Sequence, residues 1–171
     1  KELGREIARQ GAVLVTGATT GFPLWVAMGT KELGGVSIGI SPAASEKEHV
    51  DVYKLPLDYM DLIMYTGFGY AGRDILLTRS ADAVICGCGR IGTIHEFTVA
   101  FEDHKFIGIF EGPWDMDEEL KTKRSERIVF AFYIVSYMVA WLFLYIYVHN
   151  FNGFKKLCIV LSPRRKKFYT C

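Results

Sequence analysis

Ala12-Val13-Leu14-Val15-Thr16-Gly17-Ala18-Thr19-Thr20-Gly21 is an apolar run that stops at a glycine turn, and a helix-like run from Phe22 to Leu33 follows directly. Strand, tight turn, helix is the opening of a βαβ unit. The pattern recurs along the chain. Short apolar runs at Ser37–Ile40, Leu62–Thr66, Ala83–Cys86 and Phe106–Phe110 are rich in Val and Ile, and each ends near Gly, Ser or Thr. Continuous apolar runs, rather than alternating ones, are what a parallel sheet covered on both faces requires. The expected class is therefore α/β, with a doubly wound and mainly parallel sheet.

Composition sets the outer bounds. With 171 residues the chain has room for one domain and a short appendage. Half of it is hydrophobic and its mean hydropathy is positive, which excludes a disordered chain. Cys86, Cys88, Cys158 and Cys171 are too few and too unevenly spread for a disulfide-stapled scaffold. The net charge of +1 conceals a split. Residues 1–120 carry ten Lys/Arg against eighteen Asp/Glu, while residues 121–171 carry ten against one. An acidic first segment makes nucleic acid an unsuitable partner for it. The start, Lys1–Gln10, is charged and reads as an amphipathic helix with Leu3, Ile7 and Ala8 on one face, not as a signal peptide. The chain opens inside this helical pattern without an initiator Met, so a piece upstream is expected to be missing and the sheet to be N-terminally truncated.

The charge split suggests a domain over 1–120 and a basic, apolar tail over 121–171. Ile128–Val148 is a run of 21 residues without a charge. As a helix it would be about 31 Å long, close to a bilayer's hydrocarbon core. Basic residues flank it on both sides, Lys121, Lys123, Arg124 and Arg127 before and Lys155, Lys156 and 164–167 after, so its orientation stays open. Three readings compete: a membrane span over 128–148, a buried helix or strand pair packed on the α/β layer, and a segment foreign to the domain, such as a shifted reading frame. The expected localisation is cytoplasmic, or membrane-anchored with a cytoplasmic domain if the span is real.

Two turns carry candidate chemistry. In the first, Gly17, Thr19, Thr20 and Gly21 allow the backbone to approach an anion at the start of a helix. A plain β–α turn wants the same residues. The second, Gly87-Cys88-Gly89-Arg90-Ile91-Gly92-Thr93, spells G-x-G-x-x-G, and Glu111 stands 19 residues after Gly92. That is the layout of a dinucleotide fingerprint, although such a fingerprint normally follows the first strand of its sheet and at least three precede this one.

Gly89-Arg90-Ile91-Gly92-Thr93-Ile94-His95-Glu96 resembles the P-G-G-x-G-T-x-x-E signature of the LOG (Lonely Guy), or lysine-decarboxylase-like, Rossmann family. Thr16–Gly21 resembles that family's first glycine loop, and Ala27-Met28-Gly29 the small residues of the helix after it. Arg73, 23 residues before Glu96, matches the arginine of M-x-x-R-K, and Ser80-Ala81-Asp82-Ala83 the approach to the signature strand. The resemblance covers about residues 1–120. Pro-Gly-Gly is replaced by Cys88-Gly89-Arg90, and the Lys after the arginine by Asp74. These departures place the chain on a divergent branch, similar to molybdenum-cofactor carrier proteins, in which the loop can bind without cleaving.

The resemblance implies a Rossmann-like nucleotide-binding protein that hydrolyses the N-glycosidic bond of nucleoside 5′-monophosphates. It implies Glu96 as catalytic carboxylate with Arg73 as cationic partner, Gly89, Arg90, Gly92 and Thr93 as phosphate cradle, a nucleoside monophosphate or related small nucleotide as partner, and a homodimer. Neither cofactor nor metal is expected. Three alternatives stay open: a non-catalytic nucleotide or cofactor carrier, an NAD-dependent oxidoreductase using Gly87–Gly92, and a membrane-anchored interaction protein. Glu96 also fits a bland role, since Thr93-Ile94-His95-Glu96 is a capping-box pattern. Arg73 could equally pair with Asp74 or Asp82.

Other motifs fall away. His95-Glu96 begins H-E-x-x-H, but position 99 is Val. Cys86-x-Cys88 lacks the gap of a zinc or redox pair and reads as structural thiols. His49, His104 and His149 are isolated and read as surface residues, and Trp114 as a loop aromatic packed on the domain.

Overall fold

A computed structural model describes residues 1–87, 89 and 91–110, together with the backbone of two further strands at 128–131 and 156–160. Its elements run α1 (Glu2–Arg9), β1 (Val13–Thr16), α2 (Phe22–Glu32), β2 (Ser37–Ser41), α3 (Glu46–Asp51), β3 (Leu62–Tyr65), α4 (Gly69–Arg79), β4 (Ala83–Cys86), α5 (Ile91–Glu102), β5 (Phe106–Phe110), β6 (Ile128–Ala131) and β7 (Lys156–Val160). The strands form a seven-stranded sheet in the order β3-β2-β1-β7-β4-β5-β6. Every pairing is parallel.

Side chains from the sheet fill a core on each face. One core joins Val15, Ile40, Val84, Ile107 and Ile109 to Leu77 of α4 and Phe97 and Ala100 of α5. The other joins Leu14 and Ile85 to Ile7 of α1 and Val26 and Ala27 of α2. Neighbouring strand residues thus point to opposite cores, Leu14 to one and Val15 to the other. This double burial is why the runs read as continuous rather than alternating.

Helices α1 and α2 meet closely because Gly4 has no side chain. A Cβ there would stand 1.9 Å from the Val26 carbonyl oxygen and 2.7 Å from the Thr30 nitrogen. The Thr30 hydroxyl lies 3.2 Å from the Gly4 carbonyl oxygen, which it reaches as a donor, and Lys1 and Arg5 pair with Glu32 across the same contact.

His49 corrects a sequence expectation. It is fully buried rather than a surface residue, with Nδ1 2.8 Å from the Ser41 hydroxyl and Nε2 3.0 Å from the Pro56 carbonyl. The physical reason is tertiary: the ring ties α3 and the following loop to the end of β2. His104 is exposed, whereas His149 and Trp114 lie outside the described residues.

Of the 128–148 stretch, Ile128–Ala131 is strand β6, paired with β5 through Ile107↔Ile128 to Phe110↔Ala131. The remainder lies outside the described residues, as does most of the segment on either side of residue 120. Among the described residues no helix is long and apolar enough to cross a membrane. Lys156–Val160, from the basic distal segment, lies between β1 and β4 with Cys158 in register with both Val15 and Val84.

Candidate functional site

In a parallel α/β sheet, turns and helix N-termini gather at the carboxyl ends of the strands, and there both glycine loops emerge. With β7 between them, β1 and β4 are two strand spacings apart, roughly 10 Å. The first loop is pinned by its own side chains. The Ala18 amide donates to the Thr16 hydroxyl at 3.1 Å, which holds Ala18 in the left-handed region at φ 51°. Thr19 is buried and Thr20 half-buried. Gly21 turns the chain into α2 with φ 81°, a conformation that favours glycine, and α2 has no side-chain cap. Pro23 in its first turn brings no N–H, and what the α2 start offers an anion is its positive dipole end and the remaining first-turn amides.

On the second loop, Gly87 and Gly89 are described, whereas Cys88, Arg90 and the acid Glu111 are not. Gly92 and Thr93 are the second and third residues of α5. A Cβ on Gly89 would stand 1.8 Å from the Thr93 hydroxyl, so the glycine is what lets that hydroxyl sit against the loop. The Thr93 hydroxyl is buried and has no hydrogen-bond partner among the described residues. Because α5 begins at Ile91, Thr93 lies inside the helix and is not its N-cap. The capping-box reading of Thr93 and Glu96 therefore does not hold: the helix starts one turn too early for it.

Glu96 turns instead toward α4. Its carboxyl is 2 % exposed and lies 3.8 Å, Oε1 to Nη1, from Arg73, itself 3 % exposed. Arg73 Nε is 3.3 Å from Asp74 Oδ1, and Asp74 Oδ2 is 3.1 Å from His95 Nδ1 at the rim. Of the two acids weighed for Arg73, Asp74 is the one it meets. The guanidinium also lies over the Tyr70 ring, 5.7 Å from its centroid.

A Cβ on Gly17 would stand only 1.7 Å from Arg73 Nη1. Arg73 thus reaches from the first glycine loop to Glu96 on the helix behind the second, spanning the gap that β7 opens. Despite these neighbours, Arg73 Nε and Nη1 are buried without a hydrogen-bond partner among the described residues. Buried donors on a charged group are normally satisfied, so two unsatisfied ones mark a place for an acceptor.

Burial pushes the Glu96 carboxyl well above the ordinary carboxylate range; Arg73 pulls it back, and the charge of Asp74 and a hydrogen bond to it raise it further. Burial likewise pushes the Cys86 thiol up, with Glu96 adding to the effect. A buried thiol held protonated is inert, in keeping with its structural reading. Among the described residues no group of three or more His, Cys, Asp and Glu could hold a metal ion.

The geometry brings Gly17, Arg73, Glu96, Gly89 and Thr93 to one edge of the sheet and does not describe Arg90. It adds two residues that the motifs did not single out. Asp74 figured as a departure from a pattern and as one of two possible partners of Arg73, and His95 only as half of a broken zinc motif. A helical spacing argument could have placed His95 beside Glu96, but only the packing of α4 on α5 brings Asp74 between them.

A doubly wound parallel sheet with two glycine loops at its carboxyl edge defines a Rossmann-like protein. More narrowly, the chain belongs to the SLOG cluster4 family, which matches residues 1–137. It is 31% identical over 111 residues to an uncharacterized protein of Archaeoglobus fulgidus, spanning 65% of this chain and 68% of the relative. Among solved structures it is similar to the molybdenum cofactor binding protein of Rippkaea orientalis (28% identity, TM-score 0.68, 86% of this chain and 84% of that one). The molybdenum cofactor carrier protein of Chlamydomonas reinhardtii is similar as well, at 25% identity and a TM-score of 0.63 over 85% of each chain.

Proposed function

We propose that the protein binds a phosphate-bearing nucleotide, a nucleoside 5′-monophosphate or a related small nucleotide, as a carrier-type module. The observation that carries this reading is Arg73, buried against Gly17 with two N–H donors unspent. A guanidinium offers paired donors to a phosphate, and the helix starts after each loop add amides and dipole ends of the right sign. The orphaned Thr93 hydroxyl is a further donor on the same edge. The structural neighbours are named for molybdenum cofactor, so that cofactor is the second ligand to try.

Binding is favoured over cleavage by the state of Glu96. Glycosidases hold their two working carboxyls about 5–9.5 Å apart, one to donate a proton and one to attack or activate water. Here Asp74 and Glu96 are both buried against the same guanidinium, at 3.3 and 3.8 Å, and burial favours the protonated form of Glu96. Hydrolysis of the N-glycosidic bond remains the second reading, because Arg73 and Glu96, the pair implied by the LOG resemblance, do lie together at 3.8 Å.

Calorimetric titration of the full chain with AMP, with NAD and with molybdenum cofactor, followed by chromatography of the AMP mixture, separates the readings. Saturable binding with AMP recovered intact is the expected result. Adenine release that vanishes in Glu96→Gln would establish the hydrolase instead, and preference for NAD over AMP the oxidoreductase. Failure of both AMP and molybdenum cofactor to bind would overturn the proposal.

A further inference from the structure

We propose that Asp74 and Glu96 share one proton and so set the charge against which Arg73 receives an anion, which makes Asp74 a specificity-determining residue of the site. This rests on the anion-binding reading above. Three charged side chains, each 3–5% exposed, meet in one buried cluster: Arg73 and Asp74 from α4 and Glu96 from α5. Removing an unpaired charge from water is costly, and two buried carboxylates set against a single guanidinium cannot both ionise cheaply. One shared proton resolves both problems. Arg73 then faces a single negative charge, and the cluster is neutral.

Among the described residues, few titratable groups surround Glu96. Arg73 and Asp74 face it from α4, the Cys86 thiol from β4, and His95 precedes it on α5. His95 is the exposed member, with 38% of its side chain accessible, and its Nδ1 holds the far oxygen of Asp74. This contact leaves the near oxygen of Asp74 for Arg73 and keeps the carboxyl oriented toward the cluster. Asp74 is therefore a positioning residue for Glu96, and His95 one for Asp74.

The consequence is a defined sign. While the proton is held, the cluster is neutral and a phosphate dianion meets donors without net repulsion. When it leaves, Arg73 is outweighed by two carboxylates and the cluster carries −1. Binding must therefore weaken as pH rises through the loss of this proton, and burial of Glu96 places that loss above the ordinary carboxylate range. By linkage, an anion bound above that point must draw a proton back in.

The test is calorimetric titration of the full chain with AMP from pH 7 upward, where its phosphate stays dianionic, in buffers of different ionisation enthalpy. The wild-type Kd is expected to rise with pH, approaching about tenfold per pH unit above the pair's titration, with about one proton taken up per nucleotide. Glu96→Gln should give a flat profile over the same window. Asp74→Asn, which removes the neighbouring charge, should bring the titration down toward the ordinary carboxylate range. The proton count needs no variant, so it decides the matter even where a substitution fails to fold. A wild-type Kd independent of pH with no proton uptake, or a Glu96→Gln profile that follows the wild type, would overturn the shared proton while leaving anion binding intact. Absence of AMP binding at every pH would instead refute the anion-binding reading, and this proposal with it.

Discussion

Arg73→Met should cost about 3 kcal/mol of stability and weaken nucleotide binding about 100-fold. The stability loss follows from removing one partner of a buried charged cluster, which leaves the opposing charge uncompensated and typically costs about 3–5 kcal/mol. The side chain is only 4% exposed, so solvent cannot screen the charge left on Asp74 and Glu96. Methionine keeps most of the volume, which removes cavity formation as an explanation. The binding loss follows from two donors that have no other acceptor in the fold's described part. A hydrogen bond to a charged group contributes about 1.5–3 kcal/mol, and about 1.4 kcal/mol is a factor of ten. Arg73→Lys makes a useful contrast, because it keeps the charge but loses the planar pair of donors. Urea titration and calorimetry check the two effects separately. A variant that binds AMP as tightly as wild type would remove Arg73 from the site.

Gly4→Ala should be nearly as damaging, though it is far from the site. The new Cβ would stand 1.9 Å from the Val26 carbonyl oxygen, and its next neighbours are also α2 backbone atoms. Backbone cannot rotate away as a side chain can, so α1 and α2 must separate. The cost is lost packing of Ile7 against Val26 and Ala27, strain at the Thr30 hydroxyl bond to Gly4, and weaker pairing of Lys1 and Arg5 with Glu32. Overpacking of this kind costs about 3 kcal/mol, which for a chain of this size is roughly 10 °C in melting temperature. Gly34→Ala is the control: nothing lies within 4 Å of its added Cβ, so only the penalty of its positive φ applies. Melting curves that do not distinguish the two variants would show that the α1–α2 contact is not the close one described. The folded Gly4→Ala protein should still bind nucleotide below its melting temperature.

The parts of the fold that sequence makes legible are those set by local physics. Ala83–Cys86 and Phe106–Phe110 agree residue for residue with β4 and β5, because double burial leaves a run with no polar interruption. Amphipathic α1 and the glycine that ends β1 are equally local signals. What stayed hidden is non-local. Lys156–Val160 has one lysine and four apolar residues, but it follows Lys155 in a basic segment far along the chain, and nothing within it foretells a central place between β1 and β4. His49 sits among Glu46, Lys47 and Glu48 and reads as solvated, while its partners Ser41 and Pro56 come from other parts of the chain. At the candidate site, the glycines and Glu96 are visible as a motif. The meeting of Asp74 and Glu96 on Arg73 is not, because it depends on how two helices pack across 21 intervening residues.

The claim on which the account turns is that an anion sits where Arg73, the Gly17 loop and the α5 start converge. Backbone amide NMR of the full chain during titration with AMP tests it most directly. The account predicts saturating shifts concentrated at Gly17–Gly21 and at Ile91–Thr93, with the Arg73 Nε–H resonance moving in step and the amides of Gly11 and Gly34, at the ends of α1 and α2, unchanged. Saturating shifts elsewhere on the sheet, with the Gly17 loop and the α5 start unmoved, would contradict it.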